Sequence, residues 1–497
     1  MALTILPRRD ELGVKGGQLY VEGTWADGSE GETWTHVHPA TGEEVTSFAC
    51  ASAADVDRAV RAARKAFDEG PWPRLNAKDR KRFLDRIAAL VHQHADELNR
   101  LQALDNGMPV SFASVYEVSA EITGDIFDYH AGWIDKISGE TLAPYTGADV
   151  FPMTLREPVG VVAAIIPWNA PLMLFAQKVA PALATGCTMV MKPSEYASLA
   201  VFRLTQLIEE AELPPGVFNL VPGAGPTTGQ ALITHPLIDK ITFTGSRAIG
   251  GHILEASGAG IKRVSLELGG KSANIVFPDV DVAGAAMFAM GMVSFGLSGQ
   301  GCVCQTRALV HDSIYDELVD GAAAMAGMVK QGDPFAEDTT AGPIINPRQL
   351  ERVMGYIQKG QEEGARLVVG GDRPGGELAA GNFVNPTLFA DVDNQMTIAR
   401  EEIFGPVLSV IPFKDEEEAI RLANDSDYGL GAGIQTNDVA RAIRVAKALR
   451  TGTVGVNTYC VRPNTPFGGY KTSGLGREGG FGSIEAFTET KTITIAL

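Results

Sequence analysis

Apolar residues recur at helical spacing in the N-terminal part of the chain. Within residues 54–69, the side chains of Val56, Val60 and Phe67 fall on one side of a helix and charged side chains on the other. The same pattern runs over residues 78–104. Both segments are therefore predicted to be amphipathic surface helices.

From residue 159 onward, short apolar runs alternate with segments at helical spacing. Such alternation predicts parallel βαβ units, and hence an α/β fold built on a doubly wound parallel sheet. A second region of the same kind opens at residue 273. The predicted strands are residues 159–166, 188–192, 217–221, 240–244, 263–266 and 273–277, and the predicted helices are residues 172–185, 197–212, 227–234, 247–258, 282–297, 313–331 and 347–363.

Two extended segments lie outside this alternation. Residues 139–157 contain no helical pattern, and residues 489–497 alternate threonine with apolar or charged residues. We expect them to pair with each other or with another chain.

An uncharged stretch, residues 158–177, reaches the length of a membrane-spanning helix. It carries Pro167, Asn169 and Pro171 at its middle. We instead predict a buried strand, a loop and a helix start, because parallel strands covered on both faces are continuously apolar.

Composition is that of a globular protein, with 497 residues of which 45% are hydrophobic and 21% charged. The length predicts about three domains or lobes. The net charge of −18 disfavours nucleic acids and anionic membranes as partners, because both repel an acidic surface. Five scattered cysteines do not suit a disulfide framework, and residues 1–10 show no secretory pattern, so we expect a reducing, cytoplasmic location.

The run GQGCVC at residues 299–304 follows an apolar helix. Glycines beside Cys302 let a substrate approach closely, and a thiolate there would be a nucleophile. Free cysteines are also often buried small hydrophobes, and Cys304 can be a redox partner or simply packed. No His or Cys cluster nearby completes a ligand set, so no metal is expected.

Other polar runs follow predicted strands. ELGGK at residues 267–271 places Glu267 where it can be a general base or a solvated loop residue. FTGSRAIG at residues 243–250 has the strand–glycine–helix order that suits a pyrophosphate, and GAGPTTG at residues 223–229 is a second, weaker glycine run. PWN at residues 167–169 and KPSE at residues 192–195 stand at strand ends, where open α/β sheets bind ligands.

Together and in this order, these runs resemble those of the aldehyde dehydrogenase superfamily, and the resemblance covers nearly the whole chain. It extends to EIFGP at residues 402–406 and PFGGYKTSG at residues 466–474. The resemblance implies NAD(P)-dependent oxidation of an aldehyde to a carboxylic acid.

By this resemblance, Cys302 is the nucleophile that forms a thiohemiacetal and then, after hydride transfer to nicotinamide, a thioester. The Asn169 amide and the Cys302 backbone N–H would form the oxyanion hole. Glu267 would activate the water that hydrolyses the thioester. Members that transfer the acyl group to coenzyme A lack this glutamate.

The resemblance implies NAD rather than NADP as cofactor, because a carboxylate at Glu195 beside the adenosine ribose would repel a 2′-phosphate. Lys192 would hold the same ribose, Glu402 would hold the nicotinamide ribose, and Phe404 would pack near it. The positions matched to the cofactor site are Ile166, Trp168, Lys192, Glu195, Gly225, Gly229, Phe243, Gly245, Ser246, Gly250, Leu268, Glu402 and Phe404.

The family fold implies three lobes. An NAD-binding domain would comprise residues 1–138 and 159–268, and a catalytic domain residues 269–480. A β-flap of residues 139–158 and 481–497 would pair with a neighbouring subunit. We therefore expect a homo-oligomer, either a dimer or a homotetramer.

Substrate choice is expected to depend on a tunnel. Small or polar side chains at Ala170, Gln177 and Gly296 predict a wide one, suited to a medium-sized apolar aldehyde, aromatic or branched. Arg462 leaves open an acidic aldehyde or semialdehyde, or is a solvated loop cation. The tunnel positions are Ala170, Met173, Leu174, Gln177, Gly296, Gly301, Val303, Tyr459, Val461, Arg462 and Phe467.

Two other classes of function fit these residues less well. A non-catalytic structural member of the fold would be free to lose Cys302, Glu267 or Asn169, and all three are present. A thiol hydrolase would not need the cofactor-binding residues Lys192 and Glu195.

Overall fold

The computed structural model describes residues 3–113, 118–147 and 149–497. Residues 1–2 and 114–117 of the predicted NAD-binding domain, and residue 148 of the predicted flap, lie outside the described residues. The strands are β1 (Leu19–Val21), β2 (Thr24–Ala26), β3 (Thr33–Val37), β4 (Glu44–Ala49), β5 (Val150–Pro158), β6 (Val161–Ile165), β7 (Thr188–Lys192), β8 (Phe218–Leu220), β9 (Lys240–Thr244), β10 (Arg263–Glu267), β11 (Ala273–Val276), β12 (Arg307–His311), β13 (Arg366–Val369), β14 (Thr387–Ala390), β15 (Val407–Phe413), β16 (Gly431–Gln435), β17 (Thr453–Val456), β18 (Gly474–Leu475) and β19 (Thr488–Ala496).

Helices cover the sheets and are joined to them by short loops. They are α1 (Leu6–Glu11), α2 (Ala53–Asp68), α3 (Ala77–Gln93), α4 (Ala95–Asn106), α5 (Val110–Ala113), α6 (Ala120–Ala131), α7 (Pro171–Thr185), α8 (Leu199–Glu210), α9 (Gln230–Thr234), α10 (Arg247–Gly258), α11 (Val282–Ser294), α12 (Tyr315–Ala326), α13 (Pro347–Glu362), α14 (Thr397–Arg400), α15 (Glu416–Asn424), α16 (Val439–Ala448) and α17 (Gly480–Ala486). Among the described residues, no helix is both long enough and apolar enough to cross a membrane.

The first sheet has the strand order β18-β10-β9-β6-β7-β8-β1-β2. Its inner strands, from β10 to β8, run parallel. Successive residues of β6 point to opposite faces: Val162 and Ala164 enter the core that contains α7, while Val161 and Ala163 enter the core that contains α2. Burial on both faces explains the continuous apolar run and confirms the predicted doubly wound sheet.

A second sheet has the order β13-β14-β15-β12-β11-β16-β17, parallel except for the antiparallel pair β13–β14. It is built from the C-terminal half of the chain. β18 comes from the C-terminal region but pairs with β10 at the edge of the first sheet.

The two extended segments pair with each other. β5 and β19 form an antiparallel two-stranded sheet, with Glu157 opposite Glu489 and Val150 opposite Ala496. The lobe boundaries at residues 138, 158, 268 and 480 remain predictions.

Several helices differ from the sequence prediction. The helix expected over residues 313–331 is shorter, since α12 ends at Ala326. Two other differences have a clear local cause. The single helix expected over residues 78–104 is two, because His94 leaves helical geometry (φ −104°, ψ 19°) and its ring Nδ1 lies 2.9 Å from Glu97 Oε2 in the first turn of α4. The helix expected over residues 282–297 ends at Ser294, because Phe295 is extended and Gly296 has a φ of +64°.

Phe175 anchors α7 to the first sheet. Its side chain is fully buried, and its ring lies 5.6 Å from that of Phe218 in β8. We expect Phe175→Ala to destabilise the fold by about 3–5 kcal/mol, because it removes a buried ring and leaves a cavity. The thermal midpoint of unfolding measures this loss. Tyr145→Ala, at a fully exposed tyrosine, is the matched control, and an equal shift in both variants would contradict the role of Phe175.

Candidate active site

Four parallel strands of the first sheet end at one edge. β6, β7, β9 and β10 finish at Ile165, Lys192, Thr244 and Glu267. Because their carboxyl ends lie together, the loops that follow bring four of the sequence runs to one place. The runs predicted to follow strand ends therefore do so, at one edge of the first sheet.

The loop that carries Cys302 is held in a narrow range of conformations. Gly299 has a φ of +73°, and a Cβ there would lie 2.1 Å from the carbonyl oxygen of Gly405. A side chain at this position is therefore excluded. The Gln300 side chain accepts from the Ile345 N–H at 2.9 Å and donates to the carbonyls of Leu297 and Pro343.

Two contacts join this loop to the first sheet. The Asn169 Nδ2 donates to the Gln300 carbonyl at 3.0 Å, which connects the loop after β6 to the cysteine loop. A Cβ at Gly270 would lie 2.7 Å from the Cys302 carbonyl oxygen, so only glycine permits the close approach of the loop after β10. Cys302, Asn169 and Glu267 therefore belong to one connected set of loops.

The Cys302 thiol is half-buried, and its pKa is raised far above its usual range. Burial is the main cause, and the carboxylates of Glu402 and Glu267 add to it. Loss of water and nearby negative charge both favour the neutral thiol, whereas nucleophilic attack needs the thiolate.

Glu267 is 3% exposed, and its Oε2 has no hydrogen-bond partner among the described residues. Burial raises the pKa of this carboxyl well above its usual range, and the neighbouring Glu478 carboxylate raises it further, against the opposing effect of Lys178. The group is therefore set up to hold a proton rather than to remain a solvated carboxylate. The solvated-loop interpretation of Glu267 is excluded.

Lys178 and Glu478 form a buried ion pair beside Glu267, with Nζ and Oε1 2.5 Å apart. The sequence reasoning missed both. The sequence contains a signal for Lys178, because it is the lone charged residue of the apolar helix α7. The sequence contains no such signal for Glu478, because the fold of the C-terminal region brings this residue to the site.

Glu402 and Phe404 contact the loops that follow β10 and β6. Glu402 Oε1 accepts from the Gly270 N–H at 3.0 Å, and burial raises the pKa of this carboxyl to about 7. The Phe404 ring stands edge-on to that of Trp168, with centroids 5.5 Å apart. Two positions matched to the cofactor site are thus in direct contact.

The remaining positions matched to the cofactor site follow the strand ends. Lys192 Nζ donates to the Pro193 carbonyl at 2.8 Å and lies 3.5 Å from Glu195 Oε2. Gly229 stands beside the Lys192 stem, and α10 begins at an exposed first turn that Ser246 caps. The others are in contact within the same region, namely Ile166 with Lys192, Phe243 with Gly245, Gly250 with Leu268, and Gly225 in the turn that ends at Gly229.

A cavity of about 260 Å³ brings together four of the predicted tunnel residues, Met173, Gln177, Val461 and Arg462. The other residues of its wall are Ile122, Ile126, His130, Pro463 and Gly479. Of these, only His130 has a polar side chain.

The other predicted tunnel positions are not in this wall. Ala170, Leu174 and Phe467 are buried, Gly301 and Val303 flank Cys302, and Tyr459 packs against Gly431. A Cβ at Gly296 would lie 2.3 Å from the Phe112 ring, so glycine leaves room for that ring, and the place of Gly296 in a tunnel stays a prediction. Cys304 packs against the hydrophobic core of the second sheet.

Comparison with known proteins gives consistent results. The sequence model of the aldehyde dehydrogenase family matches residues 25–493. The human protein named aldehyde dehydrogenase, mitochondrial, is 44% identical over 96% of this chain and 92% of its own. The crystal structure of betaine aldehyde dehydrogenase from Staphylococcus aureus in complex with NAD+ matches with a TM-score of 0.96, 36% identity, and coverage of 99% of this chain and 97% of that one. An NAD-dependent aldehyde dehydrogenase from Sinorhizobium meliloti matches with a TM-score of 0.96, 38% identity, and coverage of 100% and 98%.

A doubly wound sheet with a cysteine loop at the carboxyl ends of its strands defines an α/β enzyme of the dehydrogenase type. The matches cover almost the whole chain, and the chain belongs to the aldehyde dehydrogenase family. This confirms the family and the fold class predicted from the sequence runs.

The raised pKa of Cys302 can be tested by alkylation. We expect iodoacetamide to label Cys302 slowly near pH 7, with a rate that still rises above pH 9, because only the thiolate reacts. Glu402→Gln removes one raising charge, so it lowers the pKa and speeds labelling at a given pH. Mass spectrometry separates Cys302 from the exposed Cys460, which serves as the reference in the same sample. Rapid labelling that is flat above pH 7 would show that the thiol is already ionised.

Proposed function

We propose that the protein uses NAD+ to oxidise an aldehyde to the carboxylic acid, through a thioester on Cys302 that Glu267 helps to hydrolyse. The observation that carries this proposal is the meeting of Cys302, Asn169 and Glu267 at the carboxyl edge of a doubly wound sheet. Family membership supports the reaction class.

The residues present fit a dinucleotide. The first turn of α10 is exposed and can receive a pyrophosphate, and a side chain at Gly225 would meet no atom within 4 Å. Lys192 and Glu195 are placed to bind ribose hydroxyls, and the Glu195 carboxylate favours NAD over NADP because it would repel a 2′-phosphate. When bound, NAD supplies the hydride acceptor for the oxidation.

In the first step, the Cys302 sulfur attacks the aldehyde carbon and forms a C–S bond, and negative charge develops on the carbonyl oxygen. Because burial favours the neutral thiol, it must first give its proton to a water molecule, which can reach the half-buried sulfur. Asn169 Nδ2 carries two N–H bonds and donates one to Gln300, so the other is left for this oxygen. The Cys302 backbone N–H is the proposed second donor. Removing one such donor typically slows the reaction by about 10²–10³-fold.

In the last step, Glu267 takes a proton from water as the water oxygen attacks the thioester carbon. The bond between the acyl carbon and the Cys302 sulfur breaks, its electron pair stays on the sulfur as a thiolate, and the carboxylic acid leaves. A carboxyl with a raised pKa is the stronger base once ionised, which suits this role. Glu267 therefore favours hydrolysis over acyl transfer to coenzyme A.

The substrate we propose is a medium-sized apolar aldehyde, aromatic or branched. Ile122, Ile126, Met173 and Val461 give the cavity an apolar wall. This apolar lining supports an aldehyde with an aromatic or branched group rather than a charged one.

We also propose that the protein is a homo-oligomer, joined through the sheet of β5 and β19. Phe151, Leu155 and Ile495 on these strands are each 40–44% exposed, and a partner strand would cover them. A cytoplasmic location and the choice between dimer and tetramer remain predictions.

The proposed roles separate in a burst experiment. With NAD+ and an aromatic aldehyde, we expect Cys302→Ala to form no NADH. Glu267→Gln is expected to form about one NADH per active site and then stop, because the thioester accumulates without a base to activate water. Stopped-flow absorbance of NADH measures both.

Cys304→Ala is the matched control, and it is expected to keep steady-state turnover because Cys304 packs against the core. Equal steady-state rates in Glu267→Gln and the wild type would show that Glu267 is not the base that activates water. Full activity in Cys302→Ala would show that Cys302 is not the nucleophile.

The tunnel proposal is tested with a panel of aldehydes. We expect benzaldehyde and branched aldehydes to have at least 10-fold higher kcat/KM than acetaldehyde, because each buried CH₂ contributes about 0.8 kcal/mol of binding. An aldehyde that carries a carboxylate tests the alternative centred on Arg462. If acetaldehyde or the acidic aldehyde is preferred, the apolar assignment is wrong.

A further inference from the structure

Asn106 is the last residue of α4 and is 2% exposed. Its Nδ2 donates to two consecutive backbone carbonyls, that of Trp168 at 3.1 Å and that of Asn169 at 3.3 Å. Its Oδ1 accepts from the Met108 N–H at 3.0 Å. One buried amide therefore uses both of its ends, and both donor contacts are to the loop after β6.

The chemistry of this position requires an amide. The two carbonyl oxygens need a donor, and the Met108 N–H needs an acceptor, so a side chain that only accepts or only donates leaves a buried group unpaired. Gly107 turns the chain with a φ of +76°, which lets the Met108 N–H face back toward Asn106. Capping of α4 does not explain the two contacts of the Asn106 Nδ2, because the carbonyls of Trp168 and Asn169 belong to a distant loop.

The loop that Asn106 holds is the one that carries the proposed oxyanion donor. The Asn169 backbone carbonyl is bonded to Asn106, and the Asn169 side chain donates to the Gln300 carbonyl, two residues before Cys302. A shift of the Trp168–Asn169 backbone would therefore move the Asn169 amide relative to Cys302. A misplacement of about 1 Å at a reacting centre can cost about 10²-fold in rate.

The neighbouring residue gives the end of α4 a second anchor. The Asp105 carboxylate accepts from the N–H groups of Leu199 at 3.0 Å and Ala200 at 2.9 Å, at the start of α8. The end of α4 is thus fixed from a second direction, so Asn106 is a rigid support rather than a mobile contact.

We propose that Asn106 is a positioning residue that sets the place of the Asn169 amide opposite the Cys302 sulfur. The proposal rests on the proposed function, in which Asn169 donates to the developing oxyanion. Asn106 itself touches neither substrate nor cofactor in this scheme.

The test begins with Asn106→Asp, which keeps the size and the acceptor but replaces the donor by oxygen. Two carbonyls then face a carboxyl oxygen, and the loop is pushed away. We expect kcat and the rate of the NADH burst to fall about 10- to 100-fold, while KM for NAD+ changes less than about 2-fold. Asn106→Ala, which removes the donor without adding charge, is used if the first variant does not fold.

The matched control is Asn219→Asp. Asn219 is fully buried and has the same bonding pattern: its Nδ2 donates to the carbonyls of Met189 and Gly216, and its Oδ1 accepts from the Glu22 N–H. It lies in β8, away from the cysteine loop. We expect a similar drop in thermal midpoint for both variants, and a loss of kcat only for the variant at Asn106. An equal loss of kcat in both variants would show that Asn106 has only a structural role and would overturn the proposal.

A double-mutant cycle decides whether Asn106 acts through Asn169. In single turnover, Asn106→Asp is expected to slow an Asn169→Ala enzyme less than about 2-fold, because the group it positions is gone. Full additivity of the two losses would overturn the proposal. If Asn169→Ala alone has no effect, or the wild type forms no NADH with any aldehyde, the proposed function fails instead, so the two failures are distinguishable.

Discussion

The pairing of β18 with β10 is the interaction on which the site depends. Glu267 lies opposite Gly474, the Leu268 N–H donates to the Ser473 carbonyl, and the Ser473 hydroxyl donates to the Gly269 carbonyl. A short strand from the C-terminal region thus closes the edge of the first sheet. The same pairing carries Glu478 to the side of Glu267, so the charge around the base is set by a segment about 200 residues away in the chain.

Loss of water dominates the electrostatics of this site. Burial raises the pKa values of Cys302, Glu267 and Glu402, and it lowers that of the buried Lys271 to about 7. Groups of both signs are thereby moved toward their neutral forms. The buried ion pair of Lys178 and Glu478 is the exception, because each of its charges is compensated by the other.

Much of the fold and the motif-bearing part of the site were predictable from the sequence. Alternating apolar runs predict the doubly wound sheet, and the runs around Asn169, Glu267 and Cys302 fall at the strand ends, as expected. The errors have local causes. A single histidine interrupts the helix expected over residues 78–104, because its ring and backbone form a junction that periodicity does not reveal. The contact of the Phe112 ring with Gly296 was not predictable either, because packing between distant segments is invisible in a linear pattern.

The sequence alone determined the family, the reaction class and the order of the elements, because local periodicity and short motifs encode strands, turns and the residues that follow them. The tertiary structure alone decided how those residues behave. The buried pair of Lys178 and Glu478, the contact of Asn106 with Asn169, and the raised pKa of the Cys302 thiol all arise from contacts between segments far apart in the chain. Burial and nearby charge set each proton affinity, and both are properties of three-dimensional packing rather than of any one stretch of residues.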